Sequence, residues 1–582
     1  MADANVLMLA KRLGEMAALL ELDGANSFKV AAHEKGSRAV AEFEGDLRAL
    51  AAEGRLTEID GVGKGLAEKI DEYLRTGAIA ELDELRLRVP ATLVELSKIN
   101  GFGPKKIRSV WQELGVTTLD GLEEAAKDGR LAELRGFGKK TVENLLLSIA
   151  QLRANHGRVR LDRAWAAANP VLRYLRGLKA VSRAEVAGSL RRWRETVKDL
   201  DFVAETEDPA AVMLAFVNYP DRQRVLGHGE AKSSIVLESG LQADLRCVPP
   251  AQFPYALHHF TGSKEHNTAM RRLAKDRGLR MNEYGLHPED GSAPLPAADE
   301  AAVFAHLGLR FVPPELREDR GEIEHAAAAD FPRLLERGDV RGMLHMHTNW
   351  SDGAPKLEDY ATWARAAGVE WMGITDHSQT AFYAGGLKPD RVAAQHAEID
   401  RINGEGRGVR LLKGIESDIL ADGRLDYDEE TLARFDFIVG SIHQHFQLSP
   451  EEQTARLVAA AANPFLTVVG HMTGRLLLKR DGIKCDEREV IRACAREGVA
   501  IEINGDPHRL ELDWTLVKFA LDEGVWIAVT ADAHTVAGLE NVNFAIAQGR
   551  KGWLTRERCL NCLSAEGFLS FARARRAARA GA

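Results

Sequence analysis

Apolar residues recur at helical spacing through the first fifty positions, where Leu7, Met8, Leu13, Leu19 and Leu20 are separated by charged residues; the spacing predicts helices. The stripe Leu66, Ile70, Tyr73 and Leu74 predicts a further amphipathic helix, with Lys69 on its flank. The period changes to two at Asp199-Leu200-Asp201-Phe202-Val203. In a strand this alternation puts Asp199 and Asp201 on one face and Leu200 and Phe202 on the other. Gln242-Ala243-Asp244-Leu245-Arg246 reads as another short strand, with Asp244 opposite Leu245. From Val312-Pro313-Pro314-Glu315 to Gly338 a Pro-Pro pair, a charge-rich run and an alanine run predict a linker or connecting helix. Beyond Gly338, seven short apolar runs alternate with helical stretches: Met343–Met346, Trp371–Thr375, Leu411–Ile415, Phe437–Ile442, Phe465–Val469, Val499–Ile503 and Val525–Thr530. Strands alternating with helices predict a parallel sheet, and seven of them in about 240 residues predict a barrel.

Composition narrows the class. A chain of 582 residues exceeds one core and implies about three to five domains. Its 28% charged and 45% hydrophobic content is that of a folded soluble protein. No apolar run approaches the roughly 18 residues a bilayer requires, and Lys11, Arg12 and Glu15 interrupt the only N-terminal signal-peptide candidate. No membrane partner and a cytoplasmic location are therefore expected. Five cysteines make no disulfide framework, and Cys559-x-x-Cys562, without a second pair at zinc-ribbon spacing, reads as two ordinary thiols. The net charge of −9 argues against a uniformly basic nucleic-acid coat. Locally the balance reverses: Arg135, Lys139, Lys140, Arg153, Arg158 and Arg160 face the single acid Glu143, while acids gather elsewhere, as in Asp426-Tyr427-Asp428-Glu429-Glu430.

Candidate chemistry begins at Gly188-Ser189-Leu190-Arg191-Arg192. A Gly-Ser turn lets backbone N–H groups approach a phosphate, arginines can fork onto its oxygens, and Asp199 and Asp201 follow as a candidate metal pair. A second pattern recurs three times, at Ile59-Asp60-Gly61-Val62-Gly63-Lys64, Ile99-Asn100-Gly101-Phe102-Gly103-Pro104-Lys105-Lys106 and Leu134-Arg135-Gly136-Phe137-Gly138-Lys139-Lys140. Each Gly-apolar-Gly hairpin opens an amphipathic helix, aims its N-terminal N–H groups outward, and is trailed by lysine, which favours contact with a nucleic-acid backbone over a purely structural turn.

These repeats resemble the helix-hairpin-helix motif of DNA repair proteins. The first copy, with Gly65-Leu66-Ala67-Glu68-Lys69-Ile70-Asp71, is similar to the amino-terminal domain of DNA polymerase beta and other family X polymerases. The resemblance makes Lys69 the counterpart of a Schiff-base nucleophile that removes deoxyribose phosphate, although Asp23–Phe28 lacks the basic and tyrosine positions of the family's lyases. It makes Gly188, Ser189 and Arg192 a triphosphate site, and Asp199, Asp201 and Asp244 a metal-binding triad for two Mg²⁺ or Mn²⁺ ions. His259-Phe260-Thr261-Gly262-Ser263-Lys264-Glu265-His266-Asn267-Thr268-Ala269-Met270-Arg271 resembles the family's nucleotide pocket. There Phe260 packs beside the sugar, Gly262 belongs to the turn, Asn267 reads the minor-groove edge and Arg271 reaches the template; His259 stands where polymerase beta has tyrosine.

In the C-terminal part, His345, His347, Asp352, His377, Glu416, His443, His471, Asp532 and His534 lie at or near the ends of the predicted strands. One histidine at a strand end is ordinarily a cap or a core residue. Nine metal-capable groups on one rim point to a site, and His with carboxylate and no thiolate suits Mn²⁺, Zn²⁺ or iron, with Glu416 able to bridge. His345-x-His347-x₄-Asp352, Thr375-Asp376-His377 and Asp532-x-His534 closely resemble the PHP (polymerase and histidinol phosphatase) domain, whose trinuclear ligand set these nine positions fill; His445 competes with His443. A family X core joined to a PHP domain is the arrangement of bacterial PolX. The resemblance implies helix-hairpin-helix domains at 1–90 and 91–152, a nucleotidyltransferase palm of mixed sheet and helices at 153–252, and a thumb at 253–316. A linker at 317–338 and a distorted (β/α)7 barrel at 339–582 follow. It also implies a monomeric, nucleoid-associated bacterial enzyme that fills gaps in primed duplex DNA from dNTPs, with 3′→5′ exonuclease or 3′-end processing in the barrel. The competing readings are a polymerase-deficient platform for the nuclease, a DNA-binding scaffold with vestigial metal centres, and a phosphatase of small monoesters.

Overall fold

The computed structural model describes residues 4–43, 46–59, 61–90, 92–97, 99, 102–154, 157–406 and 408–580. It divides into two compact units, Met1–His156 and Gly157–Ala582.

The first unit is helical. Helices Ala4–Asp23 and Ser27–Glu42 pack together, as the spacing of their apolar residues predicts. Each Gly-apolar-Gly hairpin delivers the chain into a helix: Lys64–Thr76, Pro104–Leu114 and Lys139–Ala154. The apolar residue between the glycines turns inward in every copy, and Val62, Phe102 and Phe137 are buried. Phe102 and Phe137 meet edge to face at 6.1 Å, tying two hairpins into one core. Gly61 and Gly136 hold φ of 90° and 92°, a backbone that disfavours a side chain. Gly101, Asp60 and Asn100 lie outside the described residues.

The second unit contains two sheets that position chemistry. The first is mixed and five-stranded, in the order Arg183–Val186, Asp199–Glu205, Gln242–Val248, Lys232–Leu237, Arg222–His228. Its two central members, Asp199–Glu205 and Gln242–Val248, run parallel, and the other pairings are antiparallel. Leu200, Phe202 and Leu245 enter the core on one side, which leaves the aspartates on the other. The second sheet has seven parallel strands in sequence order: Gly342–Leu344, Trp371–Ile374, Arg410–Asp418, Phe437–Ser441, Val468–Val469, Ala500–Asn504 and Ile527–Thr530. All seven apolar runs supply a strand. A bridge between Met346 and Ala533 brings the last strand back to the first and nearly closes the barrel.

Residues 317–338 are not a free linker. Arg317 is fully buried against Glu300, Glu322 accepts from His266 Nδ1 at 2.7 Å, and Ala326 joins the core around Tyr255, Met270 and Phe304. Charges of the charge-rich run find buried partners in folded space.

Candidate active sites

The palm site is built by register. Asp201 pairs with Asp244 across the two parallel central strands, and Asp199 projects on the same face two residues earlier. Three carboxylates thus share the face of the sheet opposite Leu200, Phe202 and Leu245. Burial first, and then the charges of Asp199 and Asp244, push the Asp201 carboxyl up from 3.8 to about 6, against the pull of Lys232 and Arg246. Burial works the same way on Asp244, but hydrogen bonds from Lys232, Gln242 and Ser234 outweigh it and lower that group. Lys232 Nζ lies 2.6 Å from Asp244 Oδ2, and Gln242 Nε2 donates to Oδ1 at 2.9 Å. A cluster of acids that raises one of its own members is chemically short of positive charge, and divalent cations fit it.

Gly188 abuts this cluster. Its φ is 59°, and a Cβ there would lie 2.2 Å from Asp201 Oδ2, so only glycine fits. The short helix Gly188–Arg191 carries Ser189, half-buried, and Arg191, and Arg192 caps it; the two arginines have different fates. Arg191 donates to Glu300 at 2.6 Å and to Thr261 Oγ1 at 2.7 Å; with Arg317 it encloses Glu300, whose carboxyl falls to about 2 as these arginines overcome its burial. Arg192 pairs with Glu318 at 3.1 Å and donates to the Thr261 carbonyl at 2.5 Å. Gly262, with φ of 71°, sits where a Cβ would be 3.0 Å from Arg192 Nη1, so the pocket motif and the triphosphate motif meet at this residue. Asn267 donates Nδ2 to the His259 carbonyl at 2.7 Å, and Phe260 carries the Arg246 guanidinium over its ring at 4.1 Å. His259 packs on Phe260 at 4.9 Å, and burial lowers its imidazole. Arg271 stays exposed, touching Thr268.

A helix from the barrel side completes the wall behind this turn. From Val542–Lys551, Gln548 donates to the Trp193 carbonyl at 2.9 Å and Lys551 to the Arg192 carbonyl at 2.8 Å and Glu318 at 3.0 Å. Burial draws the Lys551 ammonium down to about 8 despite Glu318. Leu510, from a barrel loop, enters the palm core itself. Glu318, Gln548 and Lys551 had no sequence signal, because their role depends on residues more than a hundred positions away.

In the barrel, all nine expected ligands gather at the C-terminal rim. His345 and His347 follow the first strand, Asp352 the loop after it, His377 the second, Glu416 lies within the third, His443 follows the fourth, His471 the fifth, and Asp532 and His534 the last. Glu416 is the hub: its oxygens lie 2.9 Å from His377 Nδ1 and His471 Nε2, 3.3 Å from His345 Nε2 and His443 Nε2, and 3.6 Å from His347 Nε2. Asp532 faces His345 and His347 at 3.6 and 3.3 Å; Asp352 faces His377 and His534 at 3.6 and 3.5 Å. Both Glu416 oxygens, both His347 nitrogens, His345 Nε2 and His377 Nδ1 are buried with no hydrogen-bond partner. Orphaned donor atoms converging this closely are what metal ions satisfy, and a shared His/carboxylate set without sulfur fits hard or borderline divalent ions. Burial opposes charge on His345, His377 and His443, yet the surrounding carboxylates raise all three, His377 to about 10 and His443 to about 9. His445 belongs to none of the ligand groupings among the described residues.

The sixth strand supplies no ligand but a support. Glu502 takes His345 Nδ1 in a short hydrogen bond and accepts from Thr530 Oγ1 at 2.6 Å, and Asp418 holds His443 Nδ1 at 2.6 Å. Glu502 was legible as a lone acid inside an apolar strand run. Asp376 likewise gathers Thr348, Ser351 and Gln395 beneath the rim.

Of the helical unit's candidates, Gly63, Gly103 and Gly138 precede helix starts, Lys105, Lys139 and Lys140 are exposed, and Lys106 is half-buried. Lys69 pairs with Glu81 at 2.9 Å, and Glu81 also holds Lys29.

Comparison with known proteins identifies the family. Family models match a helix-hairpin-helix domain at 7–79, a SAM-like helix-hairpin-helix tandem at 93–151, a DNA polymerase beta thumb at 256–318 and a PHP domain at 343–506. The DNA polymerase/3′-5′ exonuclease PolX of Bacillus subtilis is 37% identical over 97% of this chain and 98% of its own length. The chain belongs to the PolX family. DNA polymerase lambda of Rattus norvegicus is 27% identical over 45% of this PolX chain and 48% of its own, and a probable phosphatase of Caldicellulosiruptor bescii is 28% identical over 34% of this chain and 80% of its own. No helix among the described residues is long and apolar enough to cross a membrane.

Proposed function

We propose that the chain is a template-directed, gap-filling DNA polymerase whose PHP barrel trims or cleans primer 3′ ends. The observation that carries the reading is the register that brings Asp201 and Asp244 side by side with Asp199 beside them, next to a turn that only glycine can make. Mg²⁺ or Mn²⁺ on the triad, and up to three Mn²⁺, Zn²⁺ or iron ions on the barrel set, would supply Lewis acidity and charge compensation to phosphoryl transfer. The chain's own residues do the rest. Asp199, Asp201 and Asp244 orient the primer hydroxyl toward the α-phosphate. The Gly188-Ser189 turn and Arg192 hold the triphosphate, Phe260 and Asn267 shape the pocket, and the hairpin lysines grip the duplex backbone. In the barrel, Glu416 and the five histidines around it would hold the ions, whose charge a 3′-terminal phosphodiester needs. Partners in this reading are gapped or primed duplex DNA and dNTPs, with a monomer acting in the bacterial cytoplasm at the nucleoid. Lys69 pairs with Glu81, and lyase chemistry is no part of the proposal.

One observation favours a second reading, a weakly polymerising platform for the nuclease: Arg192 is already paired with Glu318, which a triphosphate must displace. A one-nucleotide-gap assay with Mg²⁺ and then Mn²⁺ separates the two. The two-centre assignment is tested by Asp201→Ala, expected to abolish nucleotide addition and spare exonuclease activity, and by His345→Ala, expected to do the reverse. Loss of both reactions from either substitution refutes separate centres.

A further inference from the structure

Two aromatic side chains stand in solvent beside the barrel cradle. Phe382 is 83% exposed and Tyr383 60%, and their rings meet edge to face at 5.9 Å. A phenylalanine left in water forfeits about 1.5–3 kcal/mol of burial, so an adjoining exposed aromatic pair calls for an occupant in a way a scattered leucine does not. Phe28 is equally exposed but has no aromatic neighbour in ring contact among the described residues.

The pair is held in place by the metal ligands' own backbone. It sits on a single helical turn, Phe382–Ala384, in the loop that leaves His377. Ser378 N donates to the Glu416 carbonyl at 3.0 Å and Leu387 N to the His377 carbonyl at 2.8 Å, which clamps both ends of the loop. Thr380 Oγ1 donates to Asp418 at 2.9 Å, and Gly386 leaves no room for a side chain, since a Cβ would meet the Ser378 carbonyl at 2.0 Å. Gly385, just past the pair, faces Ser351, the neighbour of Asp352, where a Cβ would be 3.3 Å from the carbonyl oxygen. Asp352 and His534 are the ligands left most open, at 36% and 40% side-chain exposure. The aromatic pair therefore borders the open side of the cradle. The carboxylates of Asp418, Glu416 and Asp352 lie within electrostatic reach of the Tyr383 hydroxyl.

We propose that Phe382 and Tyr383 form a stacking platform for the base of an unpaired 3′-terminal nucleotide whose phosphodiester lies on the cradle. Every base offers a π-face, so such a platform grips a strand end without reading sequence. A paired terminal base has one face on its neighbour and its edge on its partner; only a frayed or unpaired one reaches over the rim. Water then adds its oxygen to phosphorus, the bond from phosphorus to the penultimate O3′ breaks, that oxygen takes a proton, and a nucleoside 5′-monophosphate leaves. The inference rests on the exonuclease reading of the barrel proposed above.

The test uses the full chain carrying Phe382→Ala, Tyr383→Ala and both together. In the first measurement, 2-aminopurine at the 3′ end of a single-stranded, phosphorothioate-terminated oligonucleotide reports stacking by its quenching, without turnover. Quenching on the wild type and its loss in the double variant are expected. In the second, the double variant raises KM on single-stranded oligonucleotide by about 10-fold or more, leaves p-nitrophenyl phosphate turnover unchanged, and is rescued by Phe382→Trp with Tyr383→Phe. Unchanged quenching and KM overturn the platform while the exonuclease reading stands. Equal loss on p-nitrophenyl phosphate overturns it in favour of a loop that merely supports the ligands. A wild type that turns over p-nitrophenyl phosphate but no DNA overturns the exonuclease reading itself.

Discussion

Replacing Asp201 by Asn should stabilise the palm and abolish its chemistry at once. Without divalent ions the folded Asp201 carboxyl keeps its proton up to about pH 6, against 3.8 for an unhindered aspartate. The folded state therefore binds more protons than the unfolded one between those values. The contribution of this group to stability is fully present below about pH 4 and is lost as pH rises through 6, and the gap corresponds to about 3 kcal/mol at pH 8. Asparagine has the same shape and no charge to expel, so in EDTA at pH 8 Asp201→Asn should recover up to about 3 kcal/mol, and at pH 4 nothing. Hydrogen exchange of the Asp199–Glu205 amides reads this locally, without requiring the whole chain to unfold together. Saturating Mg²⁺ should slow exchange in the wild type and leave the variant unmoved. If the variant exchanges as fast as the wild type at pH 8 in EDTA, neither burial nor the neighbouring carboxylates disfavour charge on Asp201, and the metal assignment loses its electrostatic basis.

Gly188→Ala would force a Cβ to 2.2 Å from Asp201 Oδ2 in a left-handed backbone, which alone costs about 1–2 kcal/mol. Gap filling should collapse, while release of mononucleotides from single-stranded DNA stays at the wild-type rate. Glu502→Ala should leave His345 free to turn and lower metal affinity of the barrel about 10- to 100-fold, measured as bound metal after dialysis, although Glu502 is itself no ligand.

The parts that could be read along the chain are those whose signal is local. A period of two at Asp199–Val203 fixes which face carries carboxylate, and apolar runs ending in histidine describe strands feeding a rim. Roles set by tertiary pairing could not be read this way. Residue type alone does not separate Arg191 from Arg192, which only the family resemblance singles out, yet one pairs with Glu300 and the other meets Gly262 and Glu318. The segment after Pro314 has the composition of a tether, and only the folded chain reveals that Arg317 and Glu322 are its buried anchors. Glu502 falls between these cases, since a lone acid in the run Val499–Ile503 is visible, but its target, His345, is 157 positions away.

The helix Val542–Lys551 bears on how such a chain can be divided. Trp193 holds a φ of 55° immediately after the Gly188–Arg192 turn, and its carbonyl and that of Arg192 are secured by Gln548 and Lys551, while Leu510 joins the palm core. A gene ending at the Pro-Pro pair would encode every polymerase motif and still open a hole beside them. The two halves are therefore poor candidates for exchange between proteins as interchangeable cassettes, and substitutions on the barrel side of this seam can alter nucleotide addition without approaching a nucleotide.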